Sequence, residues 1–266
     1  MKVHMSGRWS KLAAVAAAAL ALSVLTVGPS YAAKDAKDAK NAKAAAEIYL
    51  VQGLPHATVD VSVDGAIVAS GLTTAQVAGP FKVVAGSRKL TFLENGKPVL
   101  ASIIKVSARS NTDVVVHLPA QAAGRPVVTT FDNDLSAVPK DKASLVVAHT
   151  AAVPPADVLV NGQVLFSNIA NGESLKLVVP AAKYSVAIVP TGEVGPDILG
   201  PLALTVKGGS LNRVYAVGDP VKKTMNVAVH VIAVSAMGSA KPLRVNTGTG
   251  GQAVGLEPVE QLTFLH

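Results

Sequence analysis

Two copies of one short pattern decide the fold of this chain. Residues 59–65 read Val-Asp-Val-Ser-Val-Asp-Gly, and residues 156–162, 97 positions later, read Ala-Asp-Val-Leu-Val-Asn-Gly. In each copy apolar residues recur at every second position and an Asp-Gly or Asn-Gly pair follows, which is typical of a β-strand ending in a tight hairpin turn. The same offset aligns residues 70–72 (Ser-Gly-Leu) with residues 167–169 (Ser-Asn-Ile). The pattern therefore predicts a duplicated domain built from strands.

Further short strands, separated by Gly, Pro and Asn, follow in each copy. We predict them at residues 81–84, 89–93, 98–106 and 113–118, and again at 174–179, 184–189, 201–206 and 212–217. Short alternating strands with regular turn signals are typical of a β-sandwich. The expected fold is all-β, with two tandem antiparallel β-sandwich domains over residues 47–134 and 142–234 and a linker at 135–141. Immunoglobulin-like and transthyretin-like strand orders both fit.

The N-terminus predicts export. Three basic residues precede an uncharged apolar run over residues 12–27, and Ser30 and Ala32 supply the small residues of a cleavage site. We expect residues 1–32 to be a signal peptide cut after Ala32. A retained anchor is the alternative, although the run is shorter than the ~20 residues that span a bilayer. The mature protein is then secreted or associated with the cell surface, with no transmembrane segment.

The two remaining segments and the charge balance narrow the choice of partners. Residues 33–46 form an Ala/Lys-rich spacer, and residues 235–266 a Gly-rich tail that is expected to be irregular or to pack on the second domain. The formal net charge is +7, of which the signal peptide contributes +3 and the spacer +2. The remaining +2 and an aromatic content of 4% exclude a basic, aromatic-lined nucleic-acid surface. Because the chain has no cysteine, its domains rest on their apolar cores.

A family resemblance follows from the second copy. Residues 146–149 (Val-Val-Ala-His), 154–158 (Pro-Pro-Ala-Asp-Val) and 161–162 (Asn-Gly) resemble a bacterial family known as domain of unknown function 4397 (DUF4397). The first copy departs from the pattern, since Gln52 stands where the second has His149. The resemblance implies an exported protein with one or more such repeats, and it implies no established activity.

Three residues are candidate site residues. Asp60 and Asp157 are the best duplicated polar residues, and in-strand alternation places each opposite the valines. They either contact a ligand on a sheet face, or face solvent or anchor a loop; the second interpretation is preferred because exposed carboxylates are common. His149 is not duplicated, and we expect it to anchor a loop rather than to act in catalysis.

Other potential reactive groups are weaker. Residues 132–134 (Asp-Asn-Asp) offer oxygen ligands for Ca²⁺ but lack the spacing of an EF-hand loop. Ser102 and Lys105 match a Ser-any-any-Lys motif, yet a strand would send them to opposite faces. His56, His117 and His230 are not duplicated either. We therefore predict no catalytic residue, cofactor or metal.

These observations favour an exported, non-enzymatic module of the cell envelope with an adhesion, scaffold or binding role. Its partner would be a cell-wall polymer or a surface protein. Two alternatives stay open. One is a secreted hydrolase with a site between the domains near His149, and the other is a carrier of a small apolar ligand held in a cavity between the sheets.

Overall fold

The computed structural model describes residues 44–237, and strands dominate them. The predicted signal peptide, most of the spacer and the tail from residue 238 lie outside these residues. None of residues 44–237 forms a helix that is long and apolar enough to cross a membrane. The strands are β1 Ala45–Gln52, β2 Val59–Val63, β3 Ala66–Leu72, β4 Val77–Val84, β5 Gly86–Glu94, β6 Lys97–Val106, β7 Asn111–His117, β8 Val127–Asp132, β9 Val138–Pro139, β10 Lys142–Ala151, β11 Ala156–Val160, β12 Gln163–Ile169, β13 Ser174–Pro180, β14 Ala182–Pro190, β15 Leu199–Val206, β16 Ser210–Gly218, β17 Asn226–Ala233 and β18 Ala236–Met237.

Sixteen of these strands form four sheets of four strands, β9 and β18 form a small two-stranded sheet, and the sheet order of the second half of the chain repeats that of the first. We call β3-β2-β5-β6 outer sheet 1 and β4-β1-β7-β8 inner sheet 1. Their counterparts are outer sheet 2, β12-β11-β14-β15, and inner sheet 2, β13-β10-β16-β17. The all-β sandwich prediction is confirmed. Most pairs are antiparallel as predicted, but β1 runs parallel to β7 and β10 parallel to β16.

The hairpin turns behave as their sequences predict. Asp64 and Gly65 have φ angles of 51° and 90°, and Asn161 and Gly162 have φ angles of 52° and 79°. A two-residue turn with positive φ at both positions matches the right-handed twist of the flanking strands, and Asn, Asp and Gly tolerate that conformation best. The two Gly-containing pairs therefore set the same β2–β3 and β11–β12 register in both halves.

Three apolar clusters show that the sheets stack in four layers. Ile48, Leu90 and Phe92 belong to the cluster between outer and inner sheet 1. Leu145 and Ile188 belong to the equivalent cluster in the second half. A third cluster joins the two inner sheets and is formed by Val51, Val115, Phe131, Ala148, Tyr215, Val217 and Ala228. Each inner sheet is thus covered on both faces, which explains why β16 is buried along its whole length.

The inner sheets approach closely at Gly53, just after β1. A Cβ atom there would lie 2.8 Å from the Val116 carbonyl oxygen and 3.0 Å from the Val217 Cγ1 atom of the second half. Only glycine fits this position without a shift of the neighbours. At the other boundary, β1 begins at Ala45, so the last two residues assigned to the spacer belong to the strand. The predicted linker contains β9, which pairs with β18.

Candidate functional site

The duplicated aspartates make the same hydrogen bond in both halves. Asp60 Oδ1 accepts from the Gly71 amide at 2.8 Å, and Asp157 Oδ1 accepts from the Asn168 amide at 2.7 Å. Gly71 and Asn168 are equivalent residues with φ angles of 67° and 53°. The register of each hairpin shifts beside the aspartate. Each carboxylate therefore fixes a β-bulge in the following strand, where a ladder amide has lost its partner.

The two aspartates differ in burial. Asp60 is half-exposed, whereas Asp157 is only 5% exposed and also accepts a 3.0 Å hydrogen bond from the Gly192 amide. The amides of Gly192 and Asn168 hold the pKa of the Asp157 carboxyl below its usual range. Asp157 is therefore not a solvent-facing residue, because the loop after β14 folds over it. Asp60 therefore holds a β-bulge, whereas Asp157 holds a β-bulge and also anchors the loop after β14.

His149 and Gln52 hold equivalent positions and make equivalent hydrogen bonds. Gln52 Oε1 accepts from the Leu54 amide at 2.9 Å, and its Nε2 atom donates to the Ala57 carbonyl at 3.1 Å. His149 Nδ1 lies 3.3 Å from the Ala151 amide nitrogen, and its Nε2 atom 3.1 Å from the Pro154 carbonyl oxygen. The amide can only donate and the carbonyl can only accept, so the Nε2 atom carries the hydrogen. Both side chains thus anchor the loop that follows their strand.

The surroundings of His149 do not assemble a reactive group. The ring is buried beside apolar side chains that include Val153, Ile188 and Met225. Burial lowers its pKa below the usual value for histidine, so the neutral ring dominates at neutral pH. Among residues 44–237, the hydrogen-bond partners of this ring are main-chain groups, with no serine hydroxyl or carboxylate.

A buried polar cluster lies elsewhere, where the two inner sheets meet. Its centre is Asp113 on β7, which is fully buried. Tyr215 donates its hydroxyl to Asp113 Oδ2 at 2.5 Å, and Asn133 donates to Oδ1 at 2.6 Å. His230 Nδ1 lies 2.9 Å and 3.0 Å from the two carboxylate oxygens, so that nitrogen carries the hydrogen. We call Asp113, Asn133, Arg213, Tyr215 and His230 the inter-sheet cluster.

Arg213 completes the cluster from the second half. Its Nε atom donates to Asn133 Oδ1 at 2.9 Å and lies 3.9 Å from Asp113 Oδ2, while its Nη2 atom donates to the Asp132 carbonyl at 2.7 Å. The guanidinium also lies 5.5 Å from the centre of the Phe131 ring. A buried carboxylate is thereby paired with a cation and hydrogen-bonded on both oxygens, as burial of a charge requires.

Asp113 and Arg213 occupy equivalent positions in the two halves. In the strand register, Asp113 lies opposite Tyr49 on β1 and Phe131 on β8. Arg213 lies opposite the equivalent residues, Val146 on β10 and His230 on β17. Asp113 contacts His230, and Arg213 contacts Phe131, so the contacts are reciprocal, as in a two-fold symmetric interface. The inner sheets of the two halves meet through the same face, with opposite charges at one matched position.

The Asp132-Asn133-Asp134 segment serves this contact between the halves. Asp132 Oδ1 accepts from the Thr112 hydroxyl, and Asn133 belongs to the inter-sheet cluster. Asp134 pairs with Lys176 on β13 at 2.6 Å, and that hydrogen bond, with a further one from Ser136, lowers the pKa of its carboxyl. Among the described residues, no group of three His, Asp or Glu side chains could hold a metal ion.

The inter-sheet cluster has the residue types of a reactive site without access for a substrate. Asp113 and Tyr215 are fully buried, and Arg213 and His230 nearly so. Burial and the neighbouring Asp113 charge raise the pKa of Tyr215 well above its usual value, so its hydroxyl stays a hydrogen-bond donor. Sequence reasoning missed the cluster because its members are unique to one half or the other. The arrangement holds the two halves together.

One family model matches a region that covers mainly the first half of the chain. Residues 46–156 match the sequence model of the family described as domain of unknown function (DUF4397). The match runs from the second residue of β1 through β10 to the first residue of β11, and so includes one of the two central strands of inner sheet 2. No curated protein matches the chain.

Proposed function

We propose that the chain is an exported, non-enzymatic module of the cell envelope with a binding or scaffold role. One observation carries the proposal: the candidate reactive side chains form hydrogen bonds to other groups of the same chain and stabilise its fold. Asp60 and Asp157 hold β-bulges, Asp157 and His149 anchor loops, and the inter-sheet cluster joins the halves. A rigid stack of sandwiches that presents its loops and sheet edges suits recognition of a partner.

We also propose that the second half is a second copy of the matched family domain. Three features support this. The sheet order of the first half recurs in the second, the Asp64-Gly65 turn recurs as Asn161-Gly162, and the bond from Gly71 to Asp60 recurs as the bond from Asn168 to Asp157. In this proposal the duplication generates the reciprocal contact between inner sheets.

The partner we propose is a polymer of the bacterial cell wall, with a surface protein as the alternative. Co-sedimentation of residues 33–266 with purified cell-wall material, across a salt series, tests this directly. Saturable binding that persists at moderate salt supports the proposal. Binding that disappears with salt reflects only screened charge on the lysine-rich spacer. Absence of binding contradicts a wall-polymer partner.

A matched variant separates the spacer from the folded module. Changing Lys34, Lys37, Lys40 and Lys43 to glutamate reverses the charge of the spacer and leaves the described strands untouched. The proposal expects unchanged wall binding by this variant. Turnover of model ester, peptide or glycoside substrates by the unmodified chain would instead favour the hydrolase alternative, and its loss in a His149→Gln variant would place the activity at that residue.

A further inference from the structure

The second half contains an apolar cavity between its two sheets. Its volume is about 310 Å³, and its walls are the facing sides of inner sheet 2 and outer sheet 2. Leu145 and Val214 line it from one sheet, and Val158 and Ile188 from the other. No lining residue is charged or aromatic, and Asn226 is the one polar residue among them. A volume of this size lies at the lower end of the range of small-molecule sites in proteins.

The cavity reaches solvent along one edge of the sandwich. Leu202 on β15 and Val229 on β17 line it, yet each is 41% exposed. β15 and β17 are the edge strands of their sheets on this side. In the first half, the equivalent strands β6 and β8 come into contact, whereas β15 and β17 approach one another less. The seam is therefore tighter in the first sandwich than in the second.

Residue differences between the halves are consistent with the extra space. Phe92 lies opposite Val61 in outer sheet 1, and Ile188 lies opposite the equivalent Val158 in outer sheet 2. Two residues nearer the turn and on the same face, Leu90 in the first half corresponds to Val186 in the second. Phe92 and Leu90 are fully buried and fill the first core. Smaller side chains stand at both positions in the second.

We propose that this cavity binds a linear aliphatic chain, such as the acyl or alkyl chain of a lipid, that enters between β15 and β17. Branched aliphatic walls favour an apolar ligand through the hydrophobic effect, and the absence of lining aromatic rings offers nothing for a ring to stack on. The absence of lining charge favours a neutral head group. This inference does not depend on the proposed wall-binding role.

Binding of neutral 1-alkanols to residues 33–266 tests the proposal. We expect saturable binding of decanol by calorimetry, affinity that rises with alkanol chain length up to a limit, and a higher melting temperature in the presence of ligand. An Ile188→Phe variant reproduces Phe92 of the first half and fills the cavity. We expect it to bind decanol at least about tenfold more weakly, a loss of about 1.4 kcal/mol. Val194→Phe, at a residue that is 97% exposed, is the matched control and keeps wild-type affinity.

A second variant keeps the test decisive if the phenylalanine perturbs folding. Leu202→Glu places a charge at the partly exposed mouth and is expected to weaken decanol binding without loss of the β-sheet circular dichroism signal. The proposal is overturned if the wild-type chain shows no saturable binding of any alkanol up to its solubility limit. It is equally overturned if folded Ile188→Phe and Leu202→Glu variants both bind decanol as tightly as the wild type.

Discussion

The hydroxyl oxygen of Tyr215, in the second half of the chain, lies 2.5 Å from the Asp113 carboxylate in the first half. This hydrogen bond crosses the interface between the inner sheets, and both residues are fully buried there. Because the pKa of Tyr215 is raised, the donor keeps its hydrogen throughout the physiological pH range. We conclude that this contact and its neighbours make the two sandwiches one rigid unit.

Removal of the Asp113 carboxylate should destabilise the whole unit. Asp113→Ala leaves Arg213, Tyr215 and His230 buried without their shared partner. Breaking a buried ion pair in this way typically costs about 3–5 kcal/mol of unfolding free energy. Denaturant unfolding followed by circular dichroism measures the loss. Asp197→Ala, at an exposed loop residue, is the control and should change stability by less than about 0.5 kcal/mol. Equal stability of the two variants would contradict the role of the cluster.

A double-mutant cycle isolates the bond that crosses the interface. Tyr215→Phe removes only the hydroxyl, and we expect it to cost about 1.5–3 kcal/mol, as is typical of hydrogen bonds to charged groups. The loss of unfolding free energy in the Tyr215→Phe, Asp113→Ala double variant should be smaller than the sum of the two single losses by more than about 1 kcal/mol, because either change removes the same interaction. Tyr215→Phe combined with Asp197→Ala should be additive. Additive losses in the first pair would show that the two residues act independently.

His149→Gln should be nearly neutral at pH 8, because Gln52 already makes the equivalent hydrogen bonds in the first half. The pKa of His149 is lowered by burial, so the unfolded chain binds the proton more readily than the folded one. The contribution of His149 to stability is complete above its unfolded pKa of about 6.5 and declines as the pH falls below it. The glutamine variant should therefore lose less stability than the wild type between about pH 6.5 and pH 5.

Unfolding free energies across this pH range test that expectation. His56→Asn is the matched control, since His56 is exposed, has a φ of 56° and tolerates asparagine. It should follow the wild-type pH profile. The pKa of His117 is also lowered by burial, so the unfolding free energy of both the wild type and the His149→Gln variant should still fall in acid. A glutamine variant with the wild-type acid profile would show that His149 does not titrate on unfolding.

The duplicated aspartates should differ in importance although their bulge bonds match. Asp157→Ala leaves the amides of Asn168 and Gly192 without their acceptor and should lower the unfolding free energy by about 2–3 kcal/mol. Asp60→Ala removes the acceptor of the Gly71 amide alone and should lower it by about 1 kcal/mol. Denaturant unfolding of the two variants gives the comparison. Equal costs would mean that burial by the loop after β14 adds nothing.

The effect of Asp157→Ala on stability should also depend on pH. The pKa of Asp157 is lowered in the folded chain, so its contribution is present above the unfolded value of about 3.9 and is lost as the pH falls through the folded value. The difference in stability between wild type and Asp157→Ala should thus shrink as the pH falls below about 4. A difference that stays constant down to acid unfolding would contradict the assigned hydrogen bonds.

The sequence was sufficient for the local structure and insufficient for the contact between the halves. Alternation and the Asp64-Gly65 and Asn161-Gly162 turns predict the hairpins because these signals act between neighbouring residues. Asp113 and Arg213 carry no such signal. Each lies in a strand that is buried along nearly its whole length, and only the stacking of the inner sheets brings their charges together. The parallel β1–β7 and β10–β16 pairs are likewise a matter of long-range topology.

A distance measurement between two spin labels, one in each half, tests whether the two sandwiches form one rigid unit. Because the chain has no cysteine, two introduced cysteines, Lys105→Cys and Lys183→Cys, are the only residues that take a spin label. Both positions are exposed, and they lie on outer-sheet strands of opposite halves. A rigid unit predicts one narrow distance distribution in the otherwise unmodified chain, and a broader one when Asp113→Ala is added. A broad distribution in the unmodified chain would show that the two sandwiches move independently and would contradict the account.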